Sequence, residues 1–370
     1  MLIFIKLMNE KIKILVGLTR IPRFGAKKFG QLRHFFGTAE KIWSVSFSEL
    51  KQIGWEDKNA EEFVFFRDQV DLNKEMEGLD KENVCAIDAD DPDYPKLLKQ
   101  IYNPPFLLYY KGDIKAASDF ALAVVGTRSP TNYGKMAAEK LCAELTASGL
   151  AIVSGLALGI DSIAHHTACE NGFPTIAVLG SGLDQGNVYP PQNRPLAEKI
   201  IAQNGVLLSE FPLGTMPVRH NFPMRNRLIS GLSLGTLVIE AGESSGALIT
   251  ADFSLEQNRE VFALPGSIFN ANSAGTNRLI QKGAKLVASV DDILEELNIS
   301  DLKKFEATRE IIPDSPEEAS ILNNLIEPRH INELSRLTAL SMQEINSTLV
   351  ILEMKGLVKN LGNMTFVRRN

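Results

Sequence analysis

The chain has 370 residues, 44% of them hydrophobic and 23% charged, with a formal net charge of −6. That length favours two or three domains with ordinary cores, and the acidic balance excludes a sequence-wide nucleic-acid coat, so any such site must be a local patch. The three cysteines, Cys85, Cys142 and Cys169, are odd in number, far apart and without a C-x-x-C pair, which fits a reducing compartment and excludes a thiolate zinc site.

The start, MLIFIKLMNEK, is apolar but short, is interrupted by Lys6 and lacks a small-residue cleavage site. It reads as a domain terminus rather than a signal peptide. Residues 1–78 form a helical, locally basic domain with turn signals at IPRFG and QIGW. IPRFG (Ile21 to Gly25) followed by AKKFGQLRHFFG has the outline of a degenerate helix-hairpin-helix or SAM-like module, with Arg23 where a second glycine is usual. A backbone contact to DNA phosphate and a purely structural role both stay open there. Phe29, Leu32 and Phe36 stand at helical spacing and read as core.

From 79 to 299, short apolar runs alternate with helical stretches: VCAI, FLLYY, ALAVV, LAIVS, TIAVLG, VLLS, TLVIE and EVFALP. Such runs indicate an α/β domain with a mainly parallel sheet covered on both faces. The longest apolar stretch, LTASGLAIVSGLALGI from Leu145, contains three glycines and is too short for a membrane span, so it reads as strand and turn. A cytoplasmic protein without membrane contact is expected. Residues 300–314 are charged and read as a linker.

Residues 315–370 carry a winged-helix pattern. Ser315-Pro-Glu-Glu318 combines an N-cap, a proline at the first helical position and a capping-box glutamate. INELSRLTAL supplies a middle helix, and Ser341-Met-Gln-Glu344 repeats the box ahead of Ile345, Leu349 and Leu352 on one face. LVKNLGNMTFVRR after Gly356 reads as a hairpin turning near Gly362. Fold analogy points to duplex DNA, an associational warrant only. The presumed recognition helix, Ser341 to Lys355, carries Glu344 and Glu353 against Lys355, whereas a groove reader is normally basic. Partner contact or dimer support therefore competes with DNA there, with Arg368 and Arg369 as the cations able to touch phosphate.

Five strand ends of the central domain lead into glycine-rich turns: VVGTRSPTNYG, SGLALGIDSIAHHTA, LGSGLDQGNVYP, EAGESSGALITA and LPGS. Ligands of open parallel sheets bind outside the carboxyl ends of the strands, where glycine lets backbone N–H groups approach an anion. That edge is expected to bind phosphate or something carrying it. G-x-G-x-x-G is absent after every strand, and no G-x-x-x-x-G-K-[ST] occurs, so no nucleotide cofactor is expected. Gly242-Glu-Ser244-Ser-Gly246 matches a nucleophile elbow, but the only later histidine is His330, beyond the linker. Adjacent His165 and His166 point about 100° apart on a helix, which does not suit one metal, and H-E-x-x-H is absent. The expectation is no catalytic residue, no metal and no cofactor.

The segment RHNFPMRNRLISG (Arg219 to Gly231) gathers three arginines, Arg219, Arg225 and Arg227, around Phe222 and Pro223. One reading pairs these arginines with acids such as Glu210 or Glu240. The other has guanidinium forks matching phosphate oxygens while Phe222 offers a face on which a base stacks, the combination that holds single-stranded nucleic acid.

Residues from about Asp90 to Val290 resemble the DNA-processing protein A (DprA, also Smf) family. The resemblance is carried by VVGTRSPTNYG, IVSGLALGIDSIAHHTA, AVLGSGLDQGNVYPPQN, SEFPLGTMP, NFPMRNRLISGLS, EAGESSGALITA, FALPGS and GTNRLIQKGAKLV, in that order. It implies an extended Rossmann domain, flanked in some members by helical and winged-helix domains. It also implies a non-catalytic mediator that binds single-stranded DNA, usually as a homodimer, and loads the RecA recombinase in natural transformation. The DNA-contacting arginine of V-G-x-R falls on Arg128, the basic residue of P-x-(K/R) on Arg219 and the base-stacking phenylalanine on Phe222. Gly126, Ser154 and Gly155 are candidate phosphate contacts, while Arg225, Asn226 and Arg227 either contact DNA or brace the loop. The chain departs from the family pattern at Pro191, where members often have lysine and Arg194 stands three residues on, and at Asn221, where histidine is common. A nucleotide-processing phosphoribohydrolase and an adaptor docking duplex DNA through its winged helix are the alternatives. The first is weakened because the family signature P-G-G-x-G-T-x-x-E is matched only loosely by EAGESSGALITA.

Overall fold

Each of the eight apolar runs between Val84 and Pro265 contains a strand in the computed structural model. The structure describes residues 2–117, 119–299, 315–325, 327–338, 340–354, 358–362 and 364–368. The linker expected at 300–314, Lys355, Arg369 and the side chain of Arg368 lie outside the described residues. The chain divides into two units, Met1–Ser300 and Asp301–Asn370.

In the first unit the strands are β1 (Cys85–Asp88), β2 (Leu107–Gly112), β3 (Ala121–Val125), β4 (Ala151–Ser154), β5 (Thr175–Val178), β6 (Val206–Ser209), β7 (Gly235–Val238), β8 (Glu260–Ala263) and β9 (Lys285–Leu286). They form one nine-stranded sheet in the order β1-β2-β6-β5-β4-β3-β7-β8-β9. From β6 through β9 all neighbours are parallel, while β1 and β2 run antiparallel at one edge. Fully buried runs such as ALAVV and VLLS require cover on both faces, which the crossover helices supply. The apolar pattern is blind to direction, so the reversed β2, antiparallel to both β1 and β6, was not expected from it, and two-residue β9 is too short to register as a run.

Chain order sets the site. β3 lies mid-sheet, β4 to β6 extend from one side of it, and β7 to β9 from the other. This reversal is the topological switch point of a Rossmann-like sheet. At Gly159, φ is +82° and an added Cβ would lie 2.3 Å from the Thr127 carbonyl oxygen. Only glycine lets the start of the helix Ile160–Glu170 press against the loop leaving β3.

The helices Leu2–Thr19, Ala26–Phe36, Ala39–Ser44, Phe47–Gln52, Asp57–Gln69 and Leu72–Glu82 precede the sheet. Their buried residues, among them Leu15, Leu32, Ile42 and Phe63, share one core with Phe106, Leu107 and Leu179 of the sheet layer. Phe29 stacks on Phe106 with centroids 4.4 Å apart, and Lys11 and Arg33 converge on Asp90. Phe29 and Leu32 are buried and Phe36 packs against the same core, the role their spacing predicts. No described helix is long and apolar enough to cross a membrane.

The second unit has helices Pro316–Asn324, Ile331–Thr338 and Met342–Met354 and a three-stranded ribbon of Arg329–His330, Val358–Gly362 and Thr365–Arg368. Ile321, Leu334, Ile345, Leu349, Leu352 and Phe366 fill its core. The Ser341 amide donates to Glu344 Oε2 at 2.8 Å and the Glu344 amide to Ser341 Oγ at 3.3 Å, a closed capping box. Three helices and a ribbon make a winged helix.

His165 is fully buried beneath β4 and β5, its Nδ1 2.8 Å from Thr175 Oγ1, whereas His166 is exposed. Burial pushes the His165 imidazole down to about 3. Its unfolded value is about 6.5, so its contribution is intact above that pH and is lost as pH falls toward the folded value. The comparison with a variant isolates the histidine from every other titrating group. Between about pH 6.5 and 4, wild-type stability should fall more steeply than that of His165→Asn, by up to about 1.4 kcal/mol per pH unit. Parallel urea-melt profiles for the two proteins would refute this.

Candidate nucleic-acid interface

A cleft of about 820 Å³ opens at the carboxyl ends of β3, β4 and β7, at the switch point. Gly126 and Arg128 reach it from the loop after β3, Asp161 from the first turn of the helix Ile160–Glu170, Arg219 from just before the helix Asn221–Gly231 and Phe222 from its start. Ser244 also lines it, but no histidine does among the described residues. A serine–histidine pair is therefore not assembled in the cleft.

The position where a dinucleotide fold holds pyrophosphate is filled from within. Glu240, buried after β7, accepts the Thr131 amide at 2.9 Å and the Thr131 hydroxyl at 2.6 Å. A Cβ on Gly134 would fall 2.3 Å from its Oε2. The N-terminus of the helix Asn132–Ala147 is thus already complemented by a carboxylate.

The arginines of the RHNFPMRNRLISG segment divide by helix face. Arg225 is 5% exposed. Its Nη1 donates to the carbonyl oxygens of Gly155, at 2.7 Å, and Val178, tying the ends of β4 and β5 to the helix. Burial pushes its guanidinium down to about 10, opposed by the negative charge of Asp161. Asp161 accepts the amides of Gly155 at 3.1 Å and Ala157 at 3.4 Å, and burial pushes its carboxyl up while Arg225 draws it down. Asn226 accepts from Arg225 Nε at 3.2 Å and donates to the Gly246 carbonyl at 3.2 Å. Arg227 pairs with part-buried Glu210 and donates to the Asn103 carbonyl at 2.8 Å.

What remains toward the cleft is compact. Arg128 and Arg219 are exposed, and no ion pair holds either guanidinium among the described residues. Phe222 is half-buried, with the guanidinium carbons of Arg128 and Arg225 each 5.9 Å from its ring centre and the Tyr189 ring at 6.0 Å, tilted by 44°. Both guanidiniums lie within cation–π distance of the ring, and the ring lines the cleft.

Of the residues singled out from sequence, Gly126, Arg128, Arg219, Phe222, Arg225 and Asn226 line the cleft, the last two buried in its wall. Ser154 is buried and its hydroxyl donates to the Val124 carbonyl at 2.6 Å, while the Gly155 amide is spent on Asp161. Those two, with Arg225, Asn226 and Arg227, carry internal bonds that position the surface groups. Arg194 donates to the carbonyls of Gly186, at 2.7 Å, and Val188, so it braces its own loop, and Asn221 is buried with its Nδ2 3.3 Å from the Met216 carbonyl. Sequence reasoning missed Tyr189 and Asp161 as parts of the site, although both stand in quoted glycine loops.

Removing Arg225 would leave carbonyls and a carboxylate buried without their cation, at a cost of about 3–5 kcal/mol. Arg225→Ala should lose that much in urea denaturation, and Arg128→Ala no more than about 0.5 kcal/mol. Equal stability of the two variants would contradict the division of roles.

Comparison with known proteins bears on this geometry. Residues 86–298 match the family model for DNA recombination-mediator protein A, and residues 305–364 that for the DprA winged helix domain. Protein Smf of Synechocystis sp. is 35% identical over 95% of this chain and 97% of its own. The X-ray structure of DNA processing protein A from Streptococcus pneumoniae superposes with a TM-score of 0.65 at 35% identity, covering 76% of this chain and 95% of that one. DNA processing protein A from Helicobacter pylori, described for its single-stranded DNA binding mode, gives a TM-score of 0.52 at 33% identity over 58% of this chain and 95% of that one. With the glycine loops, the switch-point cleft and the winged helix in place, the chain belongs to the DNA recombination-mediator protein A (DprA/Smf) family.

Proposed function

We propose that this protein is a cytoplasmic mediator without an active site, which holds single-stranded DNA in the switch-point cleft and delivers it to a RecA-type recombinase during natural transformation, working as a homodimer. The observation that carries the reading is the grouping of two exposed guanidiniums, Arg128 and Arg219, which no ion pair among the described residues holds, with the Phe222 ring between the strand ends. Guanidiniums take phosphate oxygens, and an aromatic face takes any unstacked base without sequence demand. A duplex keeps its base faces stacked and offers Phe222 nothing. Glu240 supports the same reading, because a carboxylate at the first helix N-terminus repels a dinucleotide phosphate and leaves the cleft to a chain that runs across it. Family membership supports the mediator role.

Labelled oligonucleotides titrated across a salt series test this. The protein should prefer single strands, with log affinity falling against log salt by about 0.7 per phosphate contacted. Arg128→Ala should flatten that slope by about one contact, and Phe222→Ala should cost about 1–3 kcal/mol with the slope unchanged. Equal affinity for duplex, with neither substitution mattering, would sink the proposal. Recombinase loading would be read as faster strand exchange by a RecA protein on strands already coated with single-strand-binding protein.

A further inference from the structure

The loop after β8, which leads to Asn272 of the cleft wall, raises two adjacent apolar side chains into solvent: Ile268 is 85% exposed and Phe269 94%. A solvated Ile-Phe pair gains nothing for folding, so a merely structural turn has no use for it. The backbone beneath is firmly tied. Gly266 exchanges two hydrogen bonds with Asn277, at 3.2 and 3.0 Å. Tyr133 Oη donates to the Pro265 carbonyl at 2.8 Å, and the amides of Phe269 and Asn270 close onto Ser267 at 3.3 and 3.0 Å.

The same loop is stitched to the cleft wall. Asn272 lines the cleft, its Nδ2 donates to the Ser129 carbonyl at 3.0 Å, and its own carbonyl accepts the Ala241 amide at 2.7 Å. Phe269 is therefore three residues from the wall and one loop across from Arg128. An aromatic ring held out by a hydrogen-bonded loop that is tied to the segment carrying Arg128 is a stacking platform whose ordering cost is already met by the fold.

We propose that Phe269, backed by Ile268, is a second base-stacking platform, which takes nucleotides downstream of those on Phe222 along one single strand. The proposal rests on the single-strand reading of the cleft. Phe222 packs against Gly180 after β5, and Phe269 follows β8. Four strand spacings separate β5 from β8 in the sheet order, about 19 Å at ~4.8 Å each. The two rings therefore engage different nucleotides, within the 4–16 that such grooves occupy. The path runs from Phe222 past Arg128 to Phe269.

The separation gives the test its discriminating power. Phe269→Ala, Phe269→Trp and Phe222→Ala are titrated with thymidine oligomers of about 6 and about 20 nucleotides. Phe269→Ala should weaken the long oligomer roughly 5- to 150-fold, leave the short one nearly unchanged and keep the salt slope, while Phe222→Ala weakens both. Phe269→Trp should restore affinity and show emission quenched by the long oligomer, read against wild type, whose tryptophans are Trp43 in the helix Ala39–Ser44 and Trp55 in the loop before the helix Asp57–Gln69. If Phe222→Ala weakens binding but Phe269→Ala does not, the second platform is wrong and the cleft reading stands. If neither matters, the cleft reading itself has failed. A change of oligomeric state in Phe269→Ala, with unchanged oligonucleotide affinity and no quenching in Phe269→Trp, would assign the loop to a second copy of the chain and overturn the proposal.

Discussion

The candidate site is organised by one buried cation. The Arg225 guanidinium sits where the ends of β4 and β5 meet the helix carrying Phe222, and its bonds to the Gly155 and Val178 carbonyls fix all three together. Burying a guanidinium is costly unless its donors are met and a counter-charge is near. Here the carbonyls meet the donors and Asp161 supplies the charge. Gly155 follows from the same constraint, because a Cβ there would lie 2.6 Å from the guanidinium nitrogens. The groups at the surface, Arg128 and Phe222, then find fixed positions against a cation that does not face solvent.

On the proposed reading, Glu240 turns the fold away from small phosphorylated ligands. A Rossmann-like sheet offers a phosphate site at its first helix N-terminus almost by construction. In this chain the carboxylate of Glu240 bonds the Thr131 amide and hydroxyl at that point, and Gly134 gives way to make room for it. The crevice keeps its shape while losing its anion cradle, and the positive charge that remains lies outward, on Arg128 and Arg219. One side chain thus separates a pocket for a small phosphorylated ligand from a groove open along its length.

Much of this was legible in the residues. The strand runs announced themselves because buried parallel strands need continuous apolar residues, and the winged helix did so through its two capping boxes and the Ile345, Leu349, Leu352 face. Strand direction was not legible, since β1 and β2 carry the same apolar composition whichever way they run. Nor could the sequence say which arginine of RHNFPMRNRLISG turns inward. Arg219 precedes the helix while Arg225 and Arg227 lie two apart on it, so they point about 200° apart, yet which of those faces the sheet depends on packing. The Ile268–Phe269 loop escaped for a different reason. An apolar pair in sequence reads as core until the fold shows it standing in water.

An acidic chain whose cleft holds, among the described residues, two exposed guanidiniums outside any ion pair cannot hold DNA by charge alone. Two phosphate contacts correspond to a salt slope of only about −1.4, far from the steep dependence of proteins that coat nucleic acid. On the proposed reading, affinity per subunit must come mainly from stacking, which salt does not screen and which every base can supply. Such binding is tolerant of sequence and weak enough per subunit to be released strand by strand. Coupling two subunits on one strand raises the affinity through effective concentration, with no new contact required. A mediator that must both hold a strand and surrender it to another protein needs that combination, and a cleft lined by a deep electrostatic clamp would make the second step slow.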